Sequence, residues 1–181
     1  MSHVKTDKLS ARTASGTITL GESGETITVP SGVVLTNNGT ASGFGKVLQV
    51  VSADYSTSNS TSNTSYVTAV TGSITTSVAS SKIEIIASFG WNTANANSFI
   101  KYERTISGST TAIYTSSSWV LRNNNAGLVD MVVPINFLDT PSQSAGTTIT
   151  YTISVNRGSG SGTVITNESY VARIQLMEIA G

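Results

Sequence analysis

The strongest constraint on this chain is a repeated pattern in which apolar residues alternate with threonine, serine or a charge over short runs. Successive side chains of a β-strand point to opposite faces, so this alternation is typical of strands with one buried face. Helical spacing of apolar residues is hard to find anywhere. Serine and threonine supply nearly a third of the 181 residues, and they favour strands and turns over helix interiors. The sequence therefore predicts an all-β protein.

Nine strands separated by polar loops are predicted after residue 45. We place the strands at residues 47–55, 66–74, 82–91, 99–106, 112–114, 128–138, 148–155, 164–166 and 170–179. The principal loops are residues 56–65, 92–98, 116–127 and 157–162. Eight or nine antiparallel strands over about 135 residues, without helices, suit two packed sheets. We therefore expect residues 46–181 to form an antiparallel β-sandwich of the jelly-roll type.

Two near copies of a short strand-like run precede this domain, TITL at 17–20 and TITV at 26–29. A sheet of two or three such strands is marginal unless something packs on it. We therefore expect residues 13–45 to be a small β module that associates with copies of itself, with residues 1–12 as a separate attachment segment. The predicted oligomer interface consists of Ile18, Leu20, Ile27 and Val29.

The charge balance argues against two classes of partner. Ten basic and ten acidic residues cancel, and the basic ones are scattered, so neither nucleic acid nor an anionic membrane is an expected partner. No run approaches the roughly 20 apolar residues of a membrane span. Only 11% of residues are charged, so hydroxyl and amide groups must supply most of the hydration of the surface. No insertion into a membrane is expected.

The sequence contains neither a recognisable catalytic motif nor a cofactor-binding motif. His3 is the only histidine and there is no cysteine, which argues against a Ser-His-Asp triad and against common zinc sites. Residues 39–46 lack the spacing of a phosphate-binding loop, and residues 157–162 lack that of a dinucleotide-binding turn. We therefore predict that the protein is not an enzyme, with no catalytic residue, no cofactor and no metal.

Both tryptophans lie beside loops rich in asparagine and serine. An aromatic ring next to neutral donors and acceptors suits an uncharged glycan, and binding residues are often carried on loops. The alternative is that both tryptophans cap the core, as large aromatic residues usually do. The candidate glycan contacts are Trp91, Asn92, Asn95, Trp119, Asn124 and Asn125.

Residues 16–45, GTITLGESGETITVPSGVVLTNNGTASGFG, resemble a short module of structural and tail-fibre-like proteins of marine tailed phages, including phages of cyanobacteria. The rest of the chain resembles the β-sandwich domain that follows this module, from SSKI at 80–83 to YVARIQLMEI at 170–179. The resemblance implies a virion protein made in the host cytoplasm. It also implies a homotrimer whose jelly roll is similar to the tumour-necrosis-factor and C1q type.

The same resemblance implies a short fibre or appendage subunit that contacts other tail or capsid proteins and the host surface. The chain lacks the repeated shaft segments of long fibres. The shared sequence motifs are specific for phage origin but do not indicate a position on the particle. A capsid decoration protein and a lectin-like carbohydrate-binding module therefore stay open as alternatives.

Overall fold

The computed structural model describes residues 9–12, 17–20, 26–33 and 47–180. The chain divides into two compact units, Met1–Ser42 and Gly43–Gly181. The expected boundary near residue 45 and most of the expected attachment segment 1–12 lie outside the described residues. All strands of the described residues belong to the second unit.

Thirteen strands make up the second unit. They are β1 (Val47–Tyr55), β2 (Asn59–Thr61), β3 (Val67–Thr75), β4 (Lys82–Thr93), β5 (Ala96–Ser98), β6 (Ile100–Ile106), β7 (Ser109–Thr115), β8 (Leu121–Asn123), β9 (Val129–Asp139), β10 (Thr148–Val155), β11 (Ser159–Gly160), β12 (Val164–Thr166) and β13 (Ala172–Ile179). Among the described residues no helix is long and apolar enough to cross a membrane. The prediction of an all-β fold is confirmed.

Eight of these strands are long, and they form two antiparallel sheets. The first sheet has the order β1-β13-β4-β9, and the short strands β12 and β2 extend it beside the end of β4. The second sheet has the order β3-β10-β6-β7. If the eight long strands are numbered 1 to 8 in chain order, the first sheet has the order 1-8-3-6 and the second has the order 2-7-4-5. This double Greek key is the jelly roll that the sequence predicts.

The core lies between the two sheets and follows the alternation in the sequence. On β4, Ile83, Ile85 and Phe89 point inward and are buried, and on β10 the same holds for Ile149 and Ile153. The polar residues between them face outward because strand side chains alternate. Burial of these large apolar side chains holds the sheets together.

The closing strand β13 faces the way its sequence indicates. Ala172, Ile174 and Leu176 are buried in the core. Glu178 follows on the same face and is also fully buried, which is rare for a carboxylate unless it has partners. The backbone N–H and the hydroxyl of Ser77 both donate to it, at 2.5 to 2.9 Å, and Gln49 Nε2 donates at 2.6 Å.

The N-terminal module predicted from the sequence, residues 13–45, is described only at residues 17–20 and 26–33. The described residues 17–20 and 26–30 have no strand conformation. Their pattern of apolar and β-branched residues suits a strand, but a strand forms only when a neighbour completes its hydrogen-bond ladder. The single chain supplies no such neighbour among the described residues. Ile18, Leu20, Ile27 and Val29 are accordingly exposed by 41 to 63%.

Candidate functional site

Three of the predicted loops meet at one end of the sandwich and are more ordered than the sequence indicates. Each contains a short strand, and these strands form a third sheet in the order β11-β5-β8, which we call the end sheet. Asn97 lies at its centre, paired with Ser159 on one side and Arg122 on the other. The loop segments 92–98, 116–127 and 157–162 are therefore parts of one structure.

Buried asparagine side chains hold the end sheet together. Asn97 Nδ2 donates to Asn124 Oδ1 at 2.8 Å and to Ser159 Oγ at 2.9 Å. Asn123 Nδ2 donates to the backbone carbonyls of Thr93 and Gly127, both at 2.9 Å. The Asn123 amide thus satisfies two backbone carbonyls and the Asn97 amide satisfies two side-chain oxygens, and polar groups left without a partner in a buried place would cost free energy. Asn97 and Asn123 are thus structural residues.

Trp91 does not face the surface, which corrects its candidate role as a glycan contact. It takes the inward position on β4 after Phe89, is fully buried, and its Nε1 donates to Ser98 Oγ at 2.9 Å. The alternation along β4 places it in the core, so the capping alternative holds for this residue. No ligand can reach its ring.

Asn92 is also buried, and its Nδ2 donates to Glu168 Oε2 at 2.9 Å. Its Oδ1 has no hydrogen-bond partner among the described residues. Because the segment that carries Glu168 covers it, Asn92 is not available as a glycan contact. The prediction is corrected here as well.

The other candidate asparagines are exposed at the end sheet. Asn95 adopts a left-handed backbone conformation with a φ of 49°, and its Nδ2 donates to Ser161 Oγ at 2.9 Å. Asn124 accepts the hydrogen bond from Asn97, and the Asn125 N–H donates to Asn123 Oδ1 at 3.0 Å. They line the rim of this end, and their role in ligand contact stays a prediction.

Trp119 lies between two ladders, that of β6 with β7 and that of β5 with β8. Ser116 and Ile100 exchange two hydrogen bonds of 3.0 Å, one through the Ser116 hydroxyl. The ladder resumes where the Val120 N–H donates to the Ser98 carbonyl at 3.1 Å. Residues 117–119 are therefore held on both sides by the hydrogen bonds of Ser116 and Val120.

Phe99 is the single residue opposite this three-residue insertion. Its N–H donates outside the ladder, to Asn156 Oδ1 at 3.3 Å, and its carbonyl accepts from the Asn156 N–H at 3.2 Å. Extra residues on one strand form a bulge, which commonly turns a side chain away from the sheet. The bulge here places Trp119 beside Phe99.

Gly158 fits closely against both aromatic rings. A Cβ at this position would lie 2.8 Å from the Phe99 ring and 2.8 Å from Trp119 Cδ1. The Gly158 N–H donates to the Asn97 carbonyl at 2.7 Å, which ties it to the end sheet. The Arg122 guanidinium carbon lies 5.5 Å from the centre of the Trp119 ring, within the range of a cation–π contact.

An open cleft of about 310 Å³ results, lined by Phe99, Ser117, Ser118 and Trp119. Trp119 is 40% exposed, so its ring is accessible from solvent. The lining combines aromatic surface with two hydroxyls and has no ionisable side chain. We call it the Trp119 cleft. Trp119 is a candidate from its sequence context, but nothing in the sequence marks Phe99 as its partner, because the contact depends on the bulge.

The described residues contain no cluster of three or more histidine, cysteine, aspartate or glutamate residues that would hold a metal. Glu103 forms a 2.7 Å ion pair with Lys101 on the second sheet. The Trp119 cleft carries no acid or base, so it can bind a ligand but has no group for proton transfer.

No family model and no curated protein matches the chain. Solved structures that match include the infectious bursal disease virus Gt strain, with 13% identity, a TM-score of 0.38, 87% of this chain and 42% of that chain covered. The VP2 subviral particle of infectious bursal disease virus matches with 15% identity and a TM-score of 0.38, over 73% of this chain and 37% of that chain. The chain thus spans well under half of these proteins. With such TM-scores, the fold assignment depends on the strand order alone.

Proposed function

We propose that this chain is a self-associating structural subunit of a tailed-phage particle, namely the subunit of a short trimeric fibre or appendage. The resemblance of residues 16–45 and 170–179 to phage structural proteins supports the virion origin. The jelly roll, which serves as a rigid building block in many capsid and lectin domains, is compatible with this role.

The observation that carries the proposal is the apolar surface that the single chain leaves uncovered. In the first unit Leu20 and Ile27 are about three-fifths exposed, and Ile18 and Val29 about two-fifths. Single exposed apolar residues are ordinary on a protein surface, but grouped ones mark interaction sites. Four of them within twelve residues favour an interface between copies of residues 13–45.

The outer face of the first sheet supports association through the second unit as well. Val50, Leu138 and Val132 are each nearly half exposed there, and Ile86 lies between them on β4. A shallow depression of about 310 Å³ runs along this face beside Pro134. The face also carries the exposed Arg173–Asp54 ion pair, but packing a neighbouring subunit on its apolar part would favourably remove that part from water.

The outer face of the second sheet is more polar. Threonine and serine hydroxyls on neighbouring strands share hydrogen bonds of 2.8 to 3.0 Å, in the pairs Thr71–Thr152, Ser73–Thr150, Thr75–Thr148 and Thr105–Thr110. A hydroxylated face is well suited to water. The contrast favours an assembly in which the first sheet faces a neighbour and the second faces solvent.

A capsid decoration protein is the second candidate, because the apolar outer face of the first sheet would equally fit a flat capsid surface. The two roles differ in where the subunit lies and in how many copies a particle carries. An appendage occupies a few sites at the tail or one vertex, whereas a decoration protein repeats over the whole shell.

Electron microscopy of purified particles labelled with an antibody against residues 46–181 tests this proposal. Labels confined to the tail or to one vertex are expected for an appendage. Labels spread over the whole head would replace the appendage with the decoration role. Absence of the chain from purified particles, checked by mass spectrometry of the same sample, would overturn the virion proposal altogether.

A further inference from the structure

We propose that the Trp119 cleft binds the ring of an uncharged sugar, stacked on Trp119 next to the hydroxyls of Ser117 and Ser118. This site goes beyond the structural role proposed above and does not depend on it. It follows from the position of an accessible indole, two hydroxyls and a second aromatic ring in one small cleft.

The apolar part of the cleft matches one face of a pyranose. The C–H groups of such a ring form a flat apolar patch, and an exposed indole offers a flat partner of similar size. Trp119 keeps two-fifths of its surface open, although its neighbours Ser116 and Val120 are anchored by backbone hydrogen bonds. An aromatic residue left open on a fixed piece of backbone is characteristic of a binding surface.

The polar part of the cleft matches the edge of the same ring. Each serine hydroxyl can donate one hydrogen bond and accept two, which is the pattern that the hydroxyl groups of a sugar require. Ser117 and Ser118 are both exposed at the cleft. Their hydroxyls have no hydrogen-bond partner among the described residues that would have to be displaced.

The composition of the lining also selects against charge. Phe99, Ser117, Ser118 and Trp119 include no acid or base. Arg122 lies against the Trp119 ring outside this lining and is itself exposed to water, so a carboxylate or phosphate would find no cation within the cleft. The ligand chemistry that fits is therefore a neutral hexose or N-acetylhexosamine.

The size of the cleft limits the ligand to one or two rings. Its volume of about 310 Å³ is at the lower end of the roughly 300 to 1,000 Å³ found for small-molecule sites. A site that holds one ring binds weakly by itself, with a Kd of about 1 mM or higher. Several copies on one assembly would strengthen attachment to a glycan-coated surface.

The cleft is formed before any ligand arrives. Gly158 lies against both rings, and hydrogen bonds from Asn156 hold the Phe99 backbone on both its N–H and its carbonyl. The cation–π contact from Arg122 further restricts the indole. Preorganisation of this kind lowers the entropy lost on binding.

The two tryptophans allow a direct test by NMR of the full chain labelled with ¹⁵N. The indole N–H of Trp119 should shift on titration with methyl glycosides of glucose, galactose, mannose or N-acetylglucosamine, each up to about 100 mM to cover weak binding. The indole N–H of Trp91, buried and bonded to Ser98, is the internal control and should not move. Trp119→Phe identifies the Trp119 signal because it removes it.

Two variants and a charged probe complete the experiment. Trp119→Ala should weaken binding of the responding glycoside at least about tenfold, by saturation-transfer NMR. Val120→Ala, on the same loop but outside the lining, should leave that affinity unchanged. Methyl glucuronide should bind no more tightly than methyl glucoside, because no cation lines the cleft to pair with its carboxylate.

The proposal is overturned if no glycoside moves the Trp119 signal at the highest concentration. It is also overturned if binding survives Trp119→Ala unchanged, or if only the glucuronide binds. The titration of the wild-type chain decides the matter even if a variant fails to fold, since it needs no substitution beyond the signal assignment.

Discussion

The hydroxyl of Tyr151 on the second sheet donates a 2.8 Å hydrogen bond to Oδ2 of Asp139 on the first, so the two residues join the sheets inside the sandwich. Arg104 Nη1 donates to both oxygens of the same carboxylate, at 2.8 and 2.9 Å. Burial, together with the bond to Asp139, raises the pKa of Tyr151 far above its usual range. Tyr151 therefore stays a neutral donor under all ordinary conditions.

Removing the carboxylate at this joint should destabilise the fold strongly. Asp139→Ala leaves the Arg104 charge and the Tyr151 hydroxyl without their partner in a largely buried place, and we expect a loss of about 3 to 5 kcal/mol in the free energy of unfolding. Tyr151→Phe, the control, removes one hydrogen bond and should cost about 1 to 2 kcal/mol. Urea denaturation measures both. A loss below about 1 kcal/mol for Asp139→Ala would contradict the cross-sheet role.

Glu178 should control how stability falls in acid. Burial by itself would raise the pKa of Glu178, but hydrogen bonds from Ser77, Gln49 and Val78 outweigh it and lower the pKa from 4.5 to about 2. The folded pKa is below the unfolded one, so the stabilisation is complete above pH 4.5 and is lost as the pH falls toward 2. We expect this group to contribute about 2 to 3 kcal/mol.

The measurement for Glu178 is urea denaturation at a series of pH values between 2 and 7. Glu178→Gln, which cannot ionise, should be less stable than the wild type at pH 7 and should lose less stability between pH 4.5 and 2. Equal acid slopes for the two proteins would show that other carboxylates dominate acid unfolding.

The inward face of β13 is tested by truncating one side chain. Leu176 is 1% exposed, so Leu176→Ala should cost about 2 to 5 kcal/mol by loss of burial and formation of a cavity. Gln175→Ala, one residue earlier on the outward face, should cost less than about 0.5 kcal/mol. Comparable losses for both variants would mean that the two faces of this strand are wrongly assigned.

The packing of the end sheet predicts that alanine substitutions at two glycines will have very different effects on its structure. A Cβ on Gly162 would lie 1.6 Å from the Ala94 carbonyl oxygen, whereas no atom lies within 4 Å of a Cβ on Gly127. Gly162→Ala should therefore displace the segment that carries β11 and speed amide hydrogen exchange at Asn97. Gly127→Ala should leave that exchange rate unchanged. If both variants behave alike, the packing described for the end sheet is wrong.

Much of the sandwich could be predicted from alternation alone. The bounds of β1, β10 and β12 match the expected runs, and those of the other long strands differ by at most three residues at an end. Strands with one buried face carry this signal in their own sequence, whatever their partners are. The inward position of Trp91 was also available from the same alternation, two residues after Phe89 on β4.

The short strands and the Trp119 cleft could not be predicted in this way. The strands β5, β8 and β11 consist largely of asparagine, serine and glycine, which favour turns. They become strands because distant segments pair at one end of the sandwich. The contact of Phe99 with the residues opposite it depends on a bulge, and a bulge leaves no periodic signal in a sequence.

The role proposed for the first unit depends on contacts between chains, and the sequence of one chain indicates such contacts only indirectly. The alternation in 17–20 and 26–29 is sufficient to predict a strand, but the described residues of a single chain provide no ladder for it. Ile18, Leu20, Ile27 and Val29 remain the proposed interface on the strength of their exposure.

Light scattering coupled to size-exclusion chromatography measures whether the chain forms a trimer through residues 13–45. Three copies of the 18.8 kDa chain give a mass of about 56 kDa, which we expect for the wild type at micromolar concentration. The double variant Leu20→Ser with Ile27→Ser should elute as a monomer, while Leu9→Ser, an equally exposed residue outside 13–45, should remain a trimer. A monomeric wild-type chain, or a double variant that still has the full trimeric mass, would contradict the account.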